Sequence, residues 1–134
     1  MLGLRYTSLL TIKGERTGPE RVLSAQTIDA ASVSEFTVGG EGYSAVVVTV
    51  RATYDASATA GVRARWLYSP DSTNFDSPED AEEAGYYKDL TFAAGETRQR
   101  TVLISLIQKY TKVQIVNLDA SKAVVVDVWK TLFR

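Results

Sequence analysis

Residues 43–54 read Tyr-Ser-Ala-Val-Val-Val-Thr-Val-Arg-Ala-Thr-Tyr, and no other stretch limits the fold as strongly. Val46, Val48, Val50, Ala52 and Tyr54 share one parity, while Val47, Thr49, Arg51 and Thr53 share the other. A period of two sends these sets to opposite sides of an extended strand. β-Branched side chains crowd a helix and suit a pleated surface, so the run is a long, half-buried strand. Segment 61–69 repeats the pattern, with Val62, Ala64, Trp66 and Tyr68 alternating with Arg63, Arg65 and Leu67. The small, polar residues 55–60 between the two runs end at Gly61 and permit either a hairpin or a crossing between two packed sheets.

The same alternation marks 86–92, 98–106, 110–117 and 123–133, with weaker runs at 21–28 and 32–38. Leu2, Leu4, Tyr6, Leu10 and Ile12 also share a parity. No segment carries a 3.6-residue apolar stripe long enough for a βαβ crossover helix. One short helical turn fits near 78–84: Ser77 can cap it, Pro78 suits its first turn, acids follow, and Gly85 stops it. The expected fold is all-β: an antiparallel two-sheet sandwich, jelly-roll-like, of about eight strands. Residues 1–20 read as an N-terminal strand or arm and 21–134 as the sandwich domain. Gly14-Glu15-Arg16-Thr17-Gly18-Pro19 forms a polar tether between them. The arm can pair with its own sheet or with a neighbour's exposed edge.

Composition narrows the chemistry. The 134 residues contain neither cysteine nor histidine, which removes thiolate zinc sites, cysteine nucleophiles and the Ser-His-Asp arrangement. A net charge of −1 disfavours a globally basic nucleic-acid binder. No unbroken apolar stretch is longer than the four residues of 45–48, far short of the roughly 20 residues of a spanning helix. Arg5 and Lys13 interrupt any leader-like run, so neither a signal peptide nor a membrane segment is expected. No catalytic, cofactor-binding or metal-ligating residue is predicted, and the expectation is a protein that is not an enzyme.

Three groups remain as interaction candidates. Arg51, Arg63 and Arg65 share the outward parity of consecutive runs and would form a positive stripe for carboxylates, phosphates or an acidic subunit if those runs lie side by side. The alternative is a solvent face with cross-strand charge pairing. Segment 71–89 holds seven acids against one lysine. Within it Asp71, Asn74 and Asp76 either bond their own backbone in a turn or offer oxygens to calcium, although the spacing lacks the central glycine of an EF-hand loop. Leu2, Leu4 and Tyr6 are the arm's contact residues. Trp66 and Trp129 read as sheet-packing residues, whereas exposed coplanar rings would mark a sugar platform.

The core Ala58-Thr59-Ala60-Gly61-Val62, then Ser69-Pro70-Asp71 and Asn74-Phe75-Asp76, resembles small β-sandwich structural proteins of tailed phages and prophages. Lys112-Val113-Gln114-Ile115-Val116-Asn117-Leu118-Asp119 and the valine-rich final strand extend the likeness across about 43–133. The resemblance implies a virion component of decoration, neck, tail or fibre-attachment type, assembled in the host cytoplasm. Its partners would be other virion proteins and copies of itself, and it carries no catalytic residues to transfer. The other reading is a carbohydrate- or ligand-binding module, with a sugar as partner.

Overall fold

The computed structural model describes residues 16–134. Eight strands run β1 (Arg16–Ile28), β2 (Val33–Gly39), β3 (Ala45–Tyr54), β4 (Val62–Ser69), β5 (Tyr87–Asp89), β6 (Thr97–Ser105), β7 (Tyr110–Asn117) and β8 (Val124–Phe133). One helix, α1 (Pro78–Glu83), interrupts them. Sheet I has the order β1-β8-β3-β6 and sheet II the order β2-β7-β4-β5, with every pairing antiparallel. First pairs with last, second with seventh, third with sixth and fourth with fifth. That is one long hairpin rolled onto itself, the jelly-roll topology anticipated from the spacing of the runs.

The alternating residues seal the interior. Val46, Val48 and Val50 of β3 and Val126 and Val128 of β8 are fully buried on sheet I. Val62 and Ala64 of β4 and Val113 and Ile115 of β7 meet them from sheet II. Each valine so buried contributes about 2 kcal/mol. Tyr68 crosses the interior and donates its hydroxyl to the Ser105 carbonyl at 2.6 Å, tying the two layers together.

Residues 55–61 turn out to be the crossing between sheets, since β3 and β4 belong to different layers. Two buried polar residues hold that corner. Asn117 Nδ2 donates to the carbonyls of Ile28, Asp29 and Lys122 at 2.9–3.2 Å. The Asp119 carboxylate accepts backbone N–H groups from Thr59, Ala60, Ser121 and Lys122 at 2.6–3.0 Å. Those donors, Ser121 foremost, hold its pKa well below the usual carboxylate range. The Asn-Leu-Asp of the sequence motif is therefore a staple for loops that have no ladder of their own.

Ser77 caps α1 by accepting from Asp80 N at 3.1 Å, and Pro78 opens it. Gly85 follows the helix at φ +83°, a conformation a β-carbon would strain. Two boundaries differ from the sequence reading. The run 86–92 shortens to three paired residues because Leu90 turns into the core while its N–H bonds Val62 O. The weaker run read at 21–28 begins earlier: residues 16–20, read as part of an N-terminal strand or arm, lie in β1, where Arg16 pairs with Phe133 and Glu20 with Lys130. Residues 16–19 of the tether read across 14–19 are thus strand. Among the described residues, no helix is long and apolar enough to cross a membrane.

Candidate functional site

The crossing at 55–61 decides where the arginines go. Arg51 projects from the outer face of sheet I, whereas Arg63 and Arg65 project from the outer face of sheet II, on the opposite side of the molecule. The predicted stripe of three does not form, because equal parity on strands of different sheets points in opposite directions.

On sheet II the cations are already paired. Arg63 forks onto Asp89 through Nε (2.7 Å) and Nη2 (3.2 Å), meets Glu82 at 3.1 Å and lies over the Tyr87 ring. Arg65 donates to Glu82 at 2.7 Å and twice to Gln114 Oε1 at 2.7–2.9 Å. Gln114 in turn donates to Glu35 at 2.9 Å, and Lys112 lies 3.8 Å from the other Glu35 oxygen. Arg65 above all, with Arg63 beside it, draws the Glu82 carboxyl below its ordinary pKa, and Asp89 pushes the Arg63 guanidinium up. This face is closed electrostatically.

Asp71 and Asp76 of the acidic segment are likewise met from within the chain. Asp71 accepts from the backbone of Asn74 and Thr73, from Asn74 Nδ2 and from Ser69 Oγ, which lowers its pKa. Asp76 accepts from Tyr68 N at 3.3 Å. Asp71, Asn74 and Asp76 therefore shape the loop after β4. Among the described residues no cluster of three or more acids could hold a metal ion. Leu2, Leu4 and Tyr6 lie outside the described residues.

The outer face of sheet I is different. A shallow groove of about 370 Å³ is lined by Pro19, Trp129, Thr49, Arg51 and Gln99, drawn from β1, β8, β3 and β6 in turn. It crosses all four strands, a span of about 14 Å at the usual strand spacing. The register assembles it: Thr49 is the Cα partner of Trp129, and Arg51 of both Asp127 and Gln99. Trp129 is half-buried at its centre.

Two guanidiniums approach the indole, Arg21 at 5.3 Å and Arg51 at 6.0 Å from the ring centroid. Asp127 Oδ1 accepts from Ala25 N at 2.7 Å and from Arg21. The Ala25 N–H first, then Arg21, holds the Asp127 pKa down. Ala25 sits at φ +47° where β1 bulges, so Asp127 fixes that kink and Arg21 with it. Arg21 does not line the groove. Arg51 does, half-exposed, with its Nη2 3.9 Å from Asp127 Oδ2 and no hydrogen bond to any described residue.

Other large rings serve the interior. Trp66 is buried and stacks on Tyr86 at 6.4 Å, and Tyr86 meets Tyr68 edge-on at 5.1 Å. Trp66 thus packs as anticipated, while Trp129 is a surface residue. The sequence signal for it was its parity, opposite to Val124, Val126 and Val128. Thr49, Gln99 and Pro19 carried no such mark, because only the pairing register brings them to the indole.

No protein-family model matches the sequence, and no curated protein matches it. Among solved structures, a family 35 carbohydrate-binding module from Clostridium thermocellum aligns at TM-score 0.45 and 13% identity, over 77% of this chain and 71% of that one. The carbohydrate-binding module CBM6cm-2 of Cellvibrio mixtus lichenase 5A, in complex with cellotriose, aligns at 0.43 and 9%, over 87% and 88%. A family GH115 4-O-methyl-alpha-glucuronidase aligns at 0.47 and 11%, over 87% of this chain but 16% of the glucuronidase. At such identities the likeness concerns the fold alone.

Proposed function

We propose that this β-sandwich is a non-catalytic carbohydrate-binding module whose site is the groove around Trp129. The observation that carries the reading is a half-buried indole at the centre of a sheet face, flanked by Thr49 and Gln99, in a groove that spans four strands. An indole offers a flat apolar surface to the C–H face of a sugar ring, while short polar side chains beside it exchange hydrogen bonds with hydroxyls. The volume lies at the lower end of the range for small-ligand sites, which suits one or two sugar units and modest affinity. Titration with a panel of neutral and acidic oligosaccharides, followed by calorimetry, tests this. Binding that Trp129→Ala abolishes in a folded protein supports the reading; a panel that leaves the protein untouched at millimolar concentration contradicts it.

A second reading, the virion subunit implied by the sequence resemblance, is favoured by a different observation. Among the described residues β6 is an edge strand of sheet I, and Leu103 and Ile107 at that end are 68% and 62% exposed. An open edge beside exposed apolar side chains is the kind of surface that pairs with a neighbouring copy. Sedimentation of the purified protein discriminates: a concentration-dependent oligomer lost in Leu103→Asp supports subunit contacts there, and a persistent monomer removes this support.

A further inference from the structure

We propose that the Trp129 groove selects sugars bearing an acid group, with Arg51 as the anion receptor. This inference rests on the carbohydrate reading and adds the chemical class of the ligand. Two guanidiniums share a single carboxylate at the site, and they share it unequally. Asp127 Oδ1 is taken by Arg21 and by the Ala25 N–H, while Arg51 stands 3.9 Å from Oδ2, beyond hydrogen-bonding distance. Thr49 is neutral and hydrogen-bonded to Thr101 at 2.9 Å, and Gln99 is neutral. Among the described residues the site therefore holds two guanidiniums to one carboxylate, and the N–H donors of the Arg51 fork bond no described residue.

Arg63 and Arg65 show what this chain does with a structural outward arginine: carboxylate or amide oxygens meet each at 2.7–3.2 Å. Arg51 departs from that pattern at the edge of a groove where a ligand could complete it. A planar guanidinium receives a carboxylate, sulfate or phosphate through two parallel N–H bonds. Its central carbon lies 6.0 Å from the indole centroid, so a sugar ring seated on Trp129 brings an acid group on its rim within reach of the fork. Half-exposure screens the interaction, and the expected selectivity over a neutral sugar is about five- to tenfold at low ionic strength, falling as salt is added.

The test measures affinities of the full chain for galactotriose, trigalacturonic acid and galactose 6-sulfate, with sodium sulfate as a bare anion, for wild type, Arg51→Gln and Trp129→Ala. Support is tighter binding of an acid-bearing sugar than of galactotriose, a ratio that collapses toward one in Arg51→Gln and shrinks in half-molar salt. Which acidic probe binds tighter tells carboxylate from sulfate recognition. Galactotriose bound as tightly as both acidic sugars overturns the inference while leaving the carbohydrate reading standing. Preference retained in Arg51→Gln, or sodium sulfate binding as tightly as the acidic sugars, overturns it too. No sugar binding by any protein overturns both readings together.

Discussion

The two outer faces of the sandwich are built from the same materials and finished differently. Each presents arginines from central strands beside an aromatic ring, Arg51 with Trp129 on sheet I and Arg63 with Tyr87 on sheet II. On sheet II the helix brings Glu82 and the short strand β5 brings Asp89 over the arginines, so every guanidinium is met. Among the described residues no helix covers sheet I, and the carboxylate at its centre, Asp127, is already held by a backbone bulge and Arg21. A charge on a sheet is therefore not a site by virtue of its residue type. What distinguishes a receptor from a structural group is whether the fold has already met its hydrogen-bonding capacity.

Substitutions on the two faces should separate accordingly. The largest expected effect is from Trp129→Ala: sugar affinity falls about thirtyfold or more, as for a central aromatic anchor, with the far-UV spectrum unchanged. Equal affinity in the variant would place the ligand elsewhere. On the other face, Arg65→Met should leave binding intact and lower stability by about 1.5 kcal/mol in urea denaturation, since Gln114 and Glu82 lose a charged donor. A loss of sugar affinity in that variant would break the division between faces.

Acid should act on both faces through carboxylates whose folded pKa is depressed. Arg65 lowers Glu82, the Ala25 N–H lowers Asp127, and the loop amides lower Asp119. A depressed folded pKa gives stability that is complete above the unfolded value of about 4 and is lost as pH falls toward the folded one. The Tm should hold from pH 7 to about 5 and decline below about 4, with a shallower decline in Glu82→Gln. A Tm that rises on acidification would contradict these assignments. The smallest effect is expected from Leu103→Asp, within about 0.5 kcal/mol of wild-type stability because the side chain is exposed. A larger loss would mean that this end of sheet I packs against something in solution.

The sandwich was legible because its strands are half-buried and alternate. Val46, Val48 and Val50 announce a strand and its inner face without any partner in view, and Ser77-Pro78 announces the helix. The allocation of strands to sheets was not legible, since residues 55–61 suit a hairpin as well as a crossing, and the outward arginines depended on it. Asp71, Asn74 and Asp76 read first as turn residues and only second as cation ligands, because an Asx turn and a cation loop use the same oxygens. The groove was hardest to see. Pro19, Thr49, Gln99 and Trp129 stand far apart in sequence, and cross-strand register alone makes them neighbours.

The most direct measurement is a nuclear magnetic resonance titration of the labelled protein with trigalacturonic acid, following both indole N–H signals and the backbone amides. A bound sugar should shift the Trp129 indole with the amides of Thr49, Arg51 and Gln99, while the buried Trp66 indole stays in place. Signals that remain fixed throughout, or that move only around Leu103 and Ile107, would show that the open arginine and its indole are not where this protein meets its ligand.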